Sequence, residues 1–178
     1  NEYSTIKSFI NDLSKQCKGL NNIQKTTVYC KHCLYETTEI SIINMLKLDI
    51  PSEFKTLQDI INYNTNEMEL NITCKICNEH NLYKINKYNI FSKDILLYLN
   101  INTTIPNYDI NNSLVLNDTI KVQPQSYILQ YPNYNSDVKH YRTYIKSSKL
   151  LHDDDNTYQL KSNELNTNEI IIIHLNII

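Results

Sequence analysis

The sequence predicts an α+β fold, a mostly antiparallel sheet with helix weighted to the N-terminal end. Three observations carry this. Apolar residues recur at helical spacing only near the start of the chain and again after residue 56. From residue 68 onward they fall in short runs separated by polar, Asn-rich loops. The connections between those runs are mostly too short for helical crossovers, which leaves antiparallel pairing.

In chain order, Ile6, Phe9, Ile10 and Leu13 place an amphipathic helix over 4–18, with Lys18 and Gly19 as its C-terminal end. Between 39 and 51, Ile40, Ile42, Leu46, Leu48 and Ile50 share one parity, which predicts a strand with one buried face. Thr56 opens a short helix, with Asp59 three residues on and Leu57, Ile60 and Ile61 as its apolar side. Strands follow at 68–74, 82–90, 95–101, 114–116, 127–131, 140–146, 150–152 and 170–175. No internal repeat is visible.

At 178 residues the chain is long enough for one domain with a real core. It holds one Gly, one Arg (Arg142), no Ala and no Trp, while Asn, Ile, Lys and Tyr abound. These are residues of AT-rich codons, so Asn-x-Ser/Thr triplets such as Asn71-Ile72-Thr73 say little about glycosylation. The net charge is −2 with no basic stripe, which argues against nucleic acid as a partner. The longest apolar stretches, 95–99 and 170–173, are too short to cross a membrane as helices. No signal-peptide pattern is visible, and the start at Asn1 rather than Met suggests a chain cut from a longer polypeptide.

Cys30-Lys31-His32-Cys33 and Cys74-Lys75-Ile76-Cys77 form two Cys-x-x-Cys pairs. Two residues between ligands let a tight turn aim both sulfurs at one metal, and two such knuckles complete a tetrahedral tetrathiolate. A redox dithiol needs only one pair, and a Cys-x-x-Cys disulfide would staple little chain. The pattern therefore predicts a structural zinc ion on Cys30, Cys33, Cys74 and Cys77, and with it a reducing compartment, cytoplasm or nucleus. Cys17 reads as a packing or surface thiol. His32 and His80, beside the knuckles, read as exposed loop residues.

The order of these features resembles the ubiquitin-specific protease family. In that family a knuckle is followed by an "L-x-L-x-I-P" strand, here Leu46-Lys47-Leu48-Asp49-Ile50-Pro51, and by an "S-L-x-D-x-L" helix, here Thr56-Leu57-Gln58-Asp59-Ile60-Ile61. An acidic lead-in, here Asn66-Glu67-Met68-Glu69-Leu70, precedes the second knuckle. Strands at 83–88 and 92–99 and the "Y-x-L" of Tyr127-Ile128-Leu129 lead to a histidine box, "G-H-Y-x-x-Y", here Lys139-His140-Tyr141-Arg142-Thr143-Tyr144. A "W-x-x-F-D/N-D" motif is matched by Lys149-Leu150-Leu151-His152-Asp153-Asp154, and 170–175 stands where the family has its closing strand. The match covers nearly the whole chain in the right order. It departs at Lys139 for Gly, Lys149 for Trp and His152 for Phe. The N-terminal "G-L-x-N-x-G-N-T-C-Y" box is absent.

The resemblance implies a papain-like cysteine proteinase fold in part: the end of a helical thumb at 1–27, zinc-bearing fingers at 28–100 and a palm with the histidine box at 101–178. It implies that His140 is a general base, that Asp153 orients it and that Asp154 is an accessory residue near an oxyanion. Asp153, Asp154 and Asp155 also read as a solvated acidic loop; a calcium loop would need spaced oxygen ligands and a Gly that are missing. His152 reads as a strand residue and His174 as a partly buried one. Three functions follow: the later part of a thiol-dependent deubiquitinating enzyme whose nucleophile lies upstream; an inactive homologue that binds ubiquitin; or an unrelated zinc-ribbon interaction module. The chain as given is expected to be inactive alone. Linkage preference, substrate and oligomeric state are not written in the sequence.

Overall fold

A computed structural model gives the structure. It describes residue 12 and residues 22–100, 112–131, 140–160, 164–165 and 169–178. Apart from residue 12, the helix expected over 4–18 lies outside these residues, as do Cys17, Gly19 and Lys139.

The described part is mostly antiparallel sheet with a helix packed on it. The smaller sheet holds β1 (Asn22–Tyr29), β2 (Glu36–Ile43), β4 (Met68–Leu70) and β5 (Leu82–Asn89), in the order β2-β1-β5-β4. The larger holds β3 (Leu46–Asp49), β6 (Asp94–Asn100), β7 (Leu114–Leu116), β8 (Ile120–Tyr131), β9 (His140–Ile145), β10 (Leu150–Asp153), β11 (Asn156–Gln159) and β12 (Ile170–Ile177). Its order is β11-β10-β9-β8-β12-β6-β3, with β7 alongside β8. Among the described strand pairs only β3 with β6 is parallel.

The core lies on the larger sheet. Ile170, Ile171, Ile172 and Ile173 are all buried in succession, as a strand covered on both faces requires. Around β12 pack Leu97, Leu99, Leu129, Tyr127 and Tyr144. Each such side chain contributes about 1.5–3 kcal/mol on burial.

The helix α1 (Leu57–Thr65) begins as the sequence predicts. Thr56 is its N-cap, and Thr56 and Asp59 form a reciprocal capping box. Leu57, Ile60 and Ile61 face the core. Asn64 is buried and satisfied: its Oδ1 accepts from Asp49 N at 2.8 Å, and its Nδ2 donates to Asp49 O and Ile60 O, each at 2.7 Å. Gln58 makes paired bonds to the Val115 main chain at 2.8 and 2.9 Å, tying the helix to β7.

The strand expected over 39–51 is two strands in two sheets. The chain bends at Asn44 and Met45, leaving β2 for β3. Leu46 and Leu48 are fully buried, whereas Ile40 and Ile42 are 67% and 76% exposed. Parity runs unbroken through the bend, and period-two reasoning does not report a change of sheet. β1 was not foreseen, because Asn22–Tyr29 is polar and lacks alternation. Nor was β11, whose residues are all exposed. β8 begins seven residues earlier than expected, at Ile120 rather than Tyr127. Pro124 sits inside it beside a register shift at His174/Leu175, where a missing N–H is tolerated.

Candidate functional site

Two clusters of chemically capable side chains stand out, one at each sheet. The first is the cysteine quartet. β1 runs into the first knuckle and β4 into the second, and pairing of β1 with β5 sets the two turns side by side. The turns are built alike. Leu34 N donates to Cys30 O at 3.1 Å and Cys30 N to Tyr35 O at 2.8 Å. Asn78 N donates to Cys74 O at 2.9 Å and Cys74 N to Glu79 O at 2.8 Å. Leu34 and Asn78, each four residues after the first cysteine of its pair, are left-handed at φ 60 and 59.

Cys30 Sγ and Cys77 Sγ lie 3.6 Å apart, Cys33 Sγ and Cys74 Sγ 3.7 Å, and all four sulfurs lie within 4.8 Å of one another. Tetrahedral Zn–S bonds of about 2.3 Å place sulfurs roughly 3.8 Å apart, so the quartet fits zinc. Cys30 and Cys74 are buried. Val28, Leu70 and Leu82 wrap the site in a small core of its own. Backbone N–H groups of Cys77 and Ile76 bring the Cys74 thiol down to about 6. An N–H from Glu79 lowers Cys77, but burial and the other three thiols outweigh it and push that thiol up to about 12. Four sulfurs thus crowd one another, and their shifts in opposite directions mark a site where a second negative charge is costly until a cation at the centre offsets it. His32 and His80 are exposed, as expected, with His80 Nδ1 3.2 Å from Thr73 Oγ1.

Sequence reasoning missed a clamp over the knuckles. Glu67 accepts hydrogen bonds from Lys31 and Tyr29, which hold its carboxyl below the usual range. Lys31 also lies 3.8 Å over the Tyr83 ring. This joins the first knuckle to the lead-in of the second.

The second cluster is His140 with Asp153 and Asp154. His140 opens β9 and Asp153 closes β10, and their hairpin pairs Ile145 with Leu150 through Thr143 with His152. The Asp153 carboxylate accepts from His140 Nε2, and both side chains are half-buried. Asp154 Oδ2 lies 4.0 Å from Nδ1. Asp154 is left-handed at φ 51, where the chain turns back into β11. The same hairpin makes further contacts with its neighbours. Tyr144 is buried and stacks on Tyr127 with centroids 6.2 Å apart. Arg142, the sole arginine, pairs with Glu169 just before β12. A lone Arg in a lysine-rich chain is the one hint of that pair in the sequence. Holding Nε2 on Asp153 fixes the ring and leaves Nδ1 as its basic nitrogen. His152 lies in β10, with Nδ1 3.3 Å from Thr157 Oγ1. His174 is half-buried, 2.9 Å from Asp94 and 3.4 Å from Ser126.

No protein-family model matches the chain, and no curated protein sequence matches it. Solved structures do. The fold is similar to a chain of the SAGA DUB module Ubp8/Sgf11/Sus1/Sgf73 bound to monoubiquitin, with a TM-score of 0.67 at 15% identity over 89% of this chain. A yeast SAGA DUB module with altered Sgf73 gives the same figures. The module bound to ubiquitin aldehyde gives a TM-score of 0.65 at 14% identity. The chain spans 41% to 42% of the length of those chains. The likeness therefore establishes a shared fold, which in this chain is mostly antiparallel and carries the four-cysteine cluster. No helix among the described residues is long and apolar enough to cross a membrane.

Proposed function

We propose that this chain is the finger and palm portion of a ubiquitin-specific protease, divided as 1–27, 28–100 and 101–178, working in the cytoplasm or nucleus. The observation that carries the reading is the His140–Asp153 hydrogen bond, set at a hairpin of a fold shared with a deubiquitinase module. Cys30, Cys33, Cys74 and Cys77 would hold one zinc ion, which ties the two knuckles together and takes no part in chemistry.

The reaction is acyl transfer. A thiol brought to His140 Nδ1 gives up its proton to the imidazole, and the thiolate attacks the carbonyl carbon of the amide at the ubiquitin C-terminus. The imidazolium, stabilised by Asp153, returns the proton to the departing amine. Water, deprotonated at the same nitrogen, then releases the acyl group and restores the thiol. Asp154, exposed beside Nδ1, serves as the accessory polar residue of the site. The four described cysteines lie together in one cluster, and the reading therefore takes the nucleophile from outside this chain. The same observation favours a second reading, in which the chain binds ubiquitin without cleaving it.

The test is a ubiquitin probe with a C-terminal electrophile. The chain alone should form no adduct. The parent protein should label on a cysteine upstream of Asn1, and His140→Ala should abolish labelling. An adduct on Cys17, or labelling indifferent to His140, would overturn the assignment.

A further inference from the structure

The smaller sheet turns one face toward α1 and leaves the other open. Asn86 and Tyr88 mark the covered face: Asn86 Nδ2 donates to Asn64 O at 3.1 Å, and Tyr88 is buried. Residues at odd positions of β1 and β5 therefore face outward. On that open side the register places Lys25 directly opposite Lys87, with Ile40 of β2 as the next residue in the row. The adjoining row is Thr38, Thr27 and Ile85. Lys25, Thr27, Tyr29, Glu36, Ile85 and Lys87 line an open groove of about 260 Å³.

Two like charges facing each other across a strand pair cost stability. Neither lysine ion-pairs among the described residues. The one acid in the groove, Glu36, accepts from Thr38 Oγ1 at 3.3 Å. Lys31, in the knuckle beyond β1, is matched by Glu67 just before β4, so a counter-charge is supplied at the end of this sheet but not here. Beside the basic row lie the exposed Ile40 and Ile42 on β2, an edge strand with one side unpaired. A ligand that satisfies the surface brings carboxylates to the lysines and an aliphatic side chain to Ile40.

We propose that this groove docks an acidic segment of a partner protein, with neighbouring carboxylates seated between Lys25 and Lys87 and an aliphatic residue against Ile40. The inference stands on the sheet itself and does not require the ubiquitin reading.

The experiment uses the zinc-loaded full chain and a fluorescein-labelled peptide of two adjacent aspartates flanked by valines. Anisotropy should report saturable binding that weakens with salt, as the lysine pair requires. Replacing the aspartates with asparagines, or combining Lys25→Glu with Lys87→Glu, should weaken binding at least tenfold while zinc content stays unchanged. A lysine-substituted peptide should bind the doubly altered chain in preference to the native one. Equal binding of the Asp and Asn peptides, or indifference to the lysine changes, overturns the proposal. So does a result in which inorganic phosphate perturbs Lys25 and Lys87 and the peptide binds no tighter than phosphate, which would make this a small-anion site. Ubiquitin titrated separately keeps the two readings apart, since either can fail alone.

Discussion

Leu34 shows how a single residue can carry strain that its neighbours require. It is 83% exposed and left-handed, so it gains almost nothing from burial and bears the Cβ clash of that conformation. The matching position in the second knuckle is Asn78, a residue that adopts this region readily. Leu34→Asn should therefore stabilise the protein by about 0.5 kcal/mol, and Leu34→Val should cost more than about 1 kcal/mol. Denaturant melts of the zinc-loaded protein check both. At the other sheet, Glu169 is almost fully buried against Arg142. Glu169→Gln should cost about 3 kcal/mol because it removes the carboxylate that faces a largely buried guanidinium. Arg142→Met with Glu169→Leu should cost less than the single change, since both charges of the pair are then removed together. The clustering of the four cysteines was legible in the sequence because two Cys-x-x-Cys pairs each fold into a tight turn that the strand pairing can set side by side. The Arg142–Glu169 pair was not, since 26 residues separate partners that only the strand order brings together.

At the scale of elements, α1 was readable because its signals are local. Cap, counter-cap and apolar side all lie within six residues. Thr56→Ala should cost about 1 kcal/mol. The cap also makes a pH dependence. N–H groups of Lys55 and Thr56 hold the Asp59 carboxyl below its ordinary value. A depressed folded value means that the stabilisation is full above the unfolded pKa of about 4 and is lost as pH falls through the folded one. Asp59→Asn should flatten that part of the stability–pH curve below about pH 4 and lower stability at pH 7. β2 and β3 were misread for the opposite reason. Their shared parity is local, whereas the sheet each joins is set by partners far along the chain, β1 for one and β6 for the other. The small sheet has few buried apolar residues outside its cysteine core. Cys74→Ser should therefore unfold β4, β5 and both knuckles, seen as loss of one bound zinc and of amide protection there, while the larger sheet stays protected.

Across the whole molecule, a four-cysteine cluster stands at the tip of one sheet and a His–Asp pair on the far hairpin of the other. The order of motifs along the chain pointed to that arrangement, and the solved deubiquitinase modules share its fold. What both leading readings require is recognition of ubiquitin by this chain, through the strands from 68 to 101 and the knuckles at their tip. The most direct test is to titrate isotope-labelled ubiquitin with the zinc-loaded chain up to millimolar concentration and follow its amide resonances. The account predicts a contiguous set of shifted amides on one face of ubiquitin with modest affinity, lost when Cys74→Ser removes the metal site. Spectra that stay unchanged throughout the titration would contradict it.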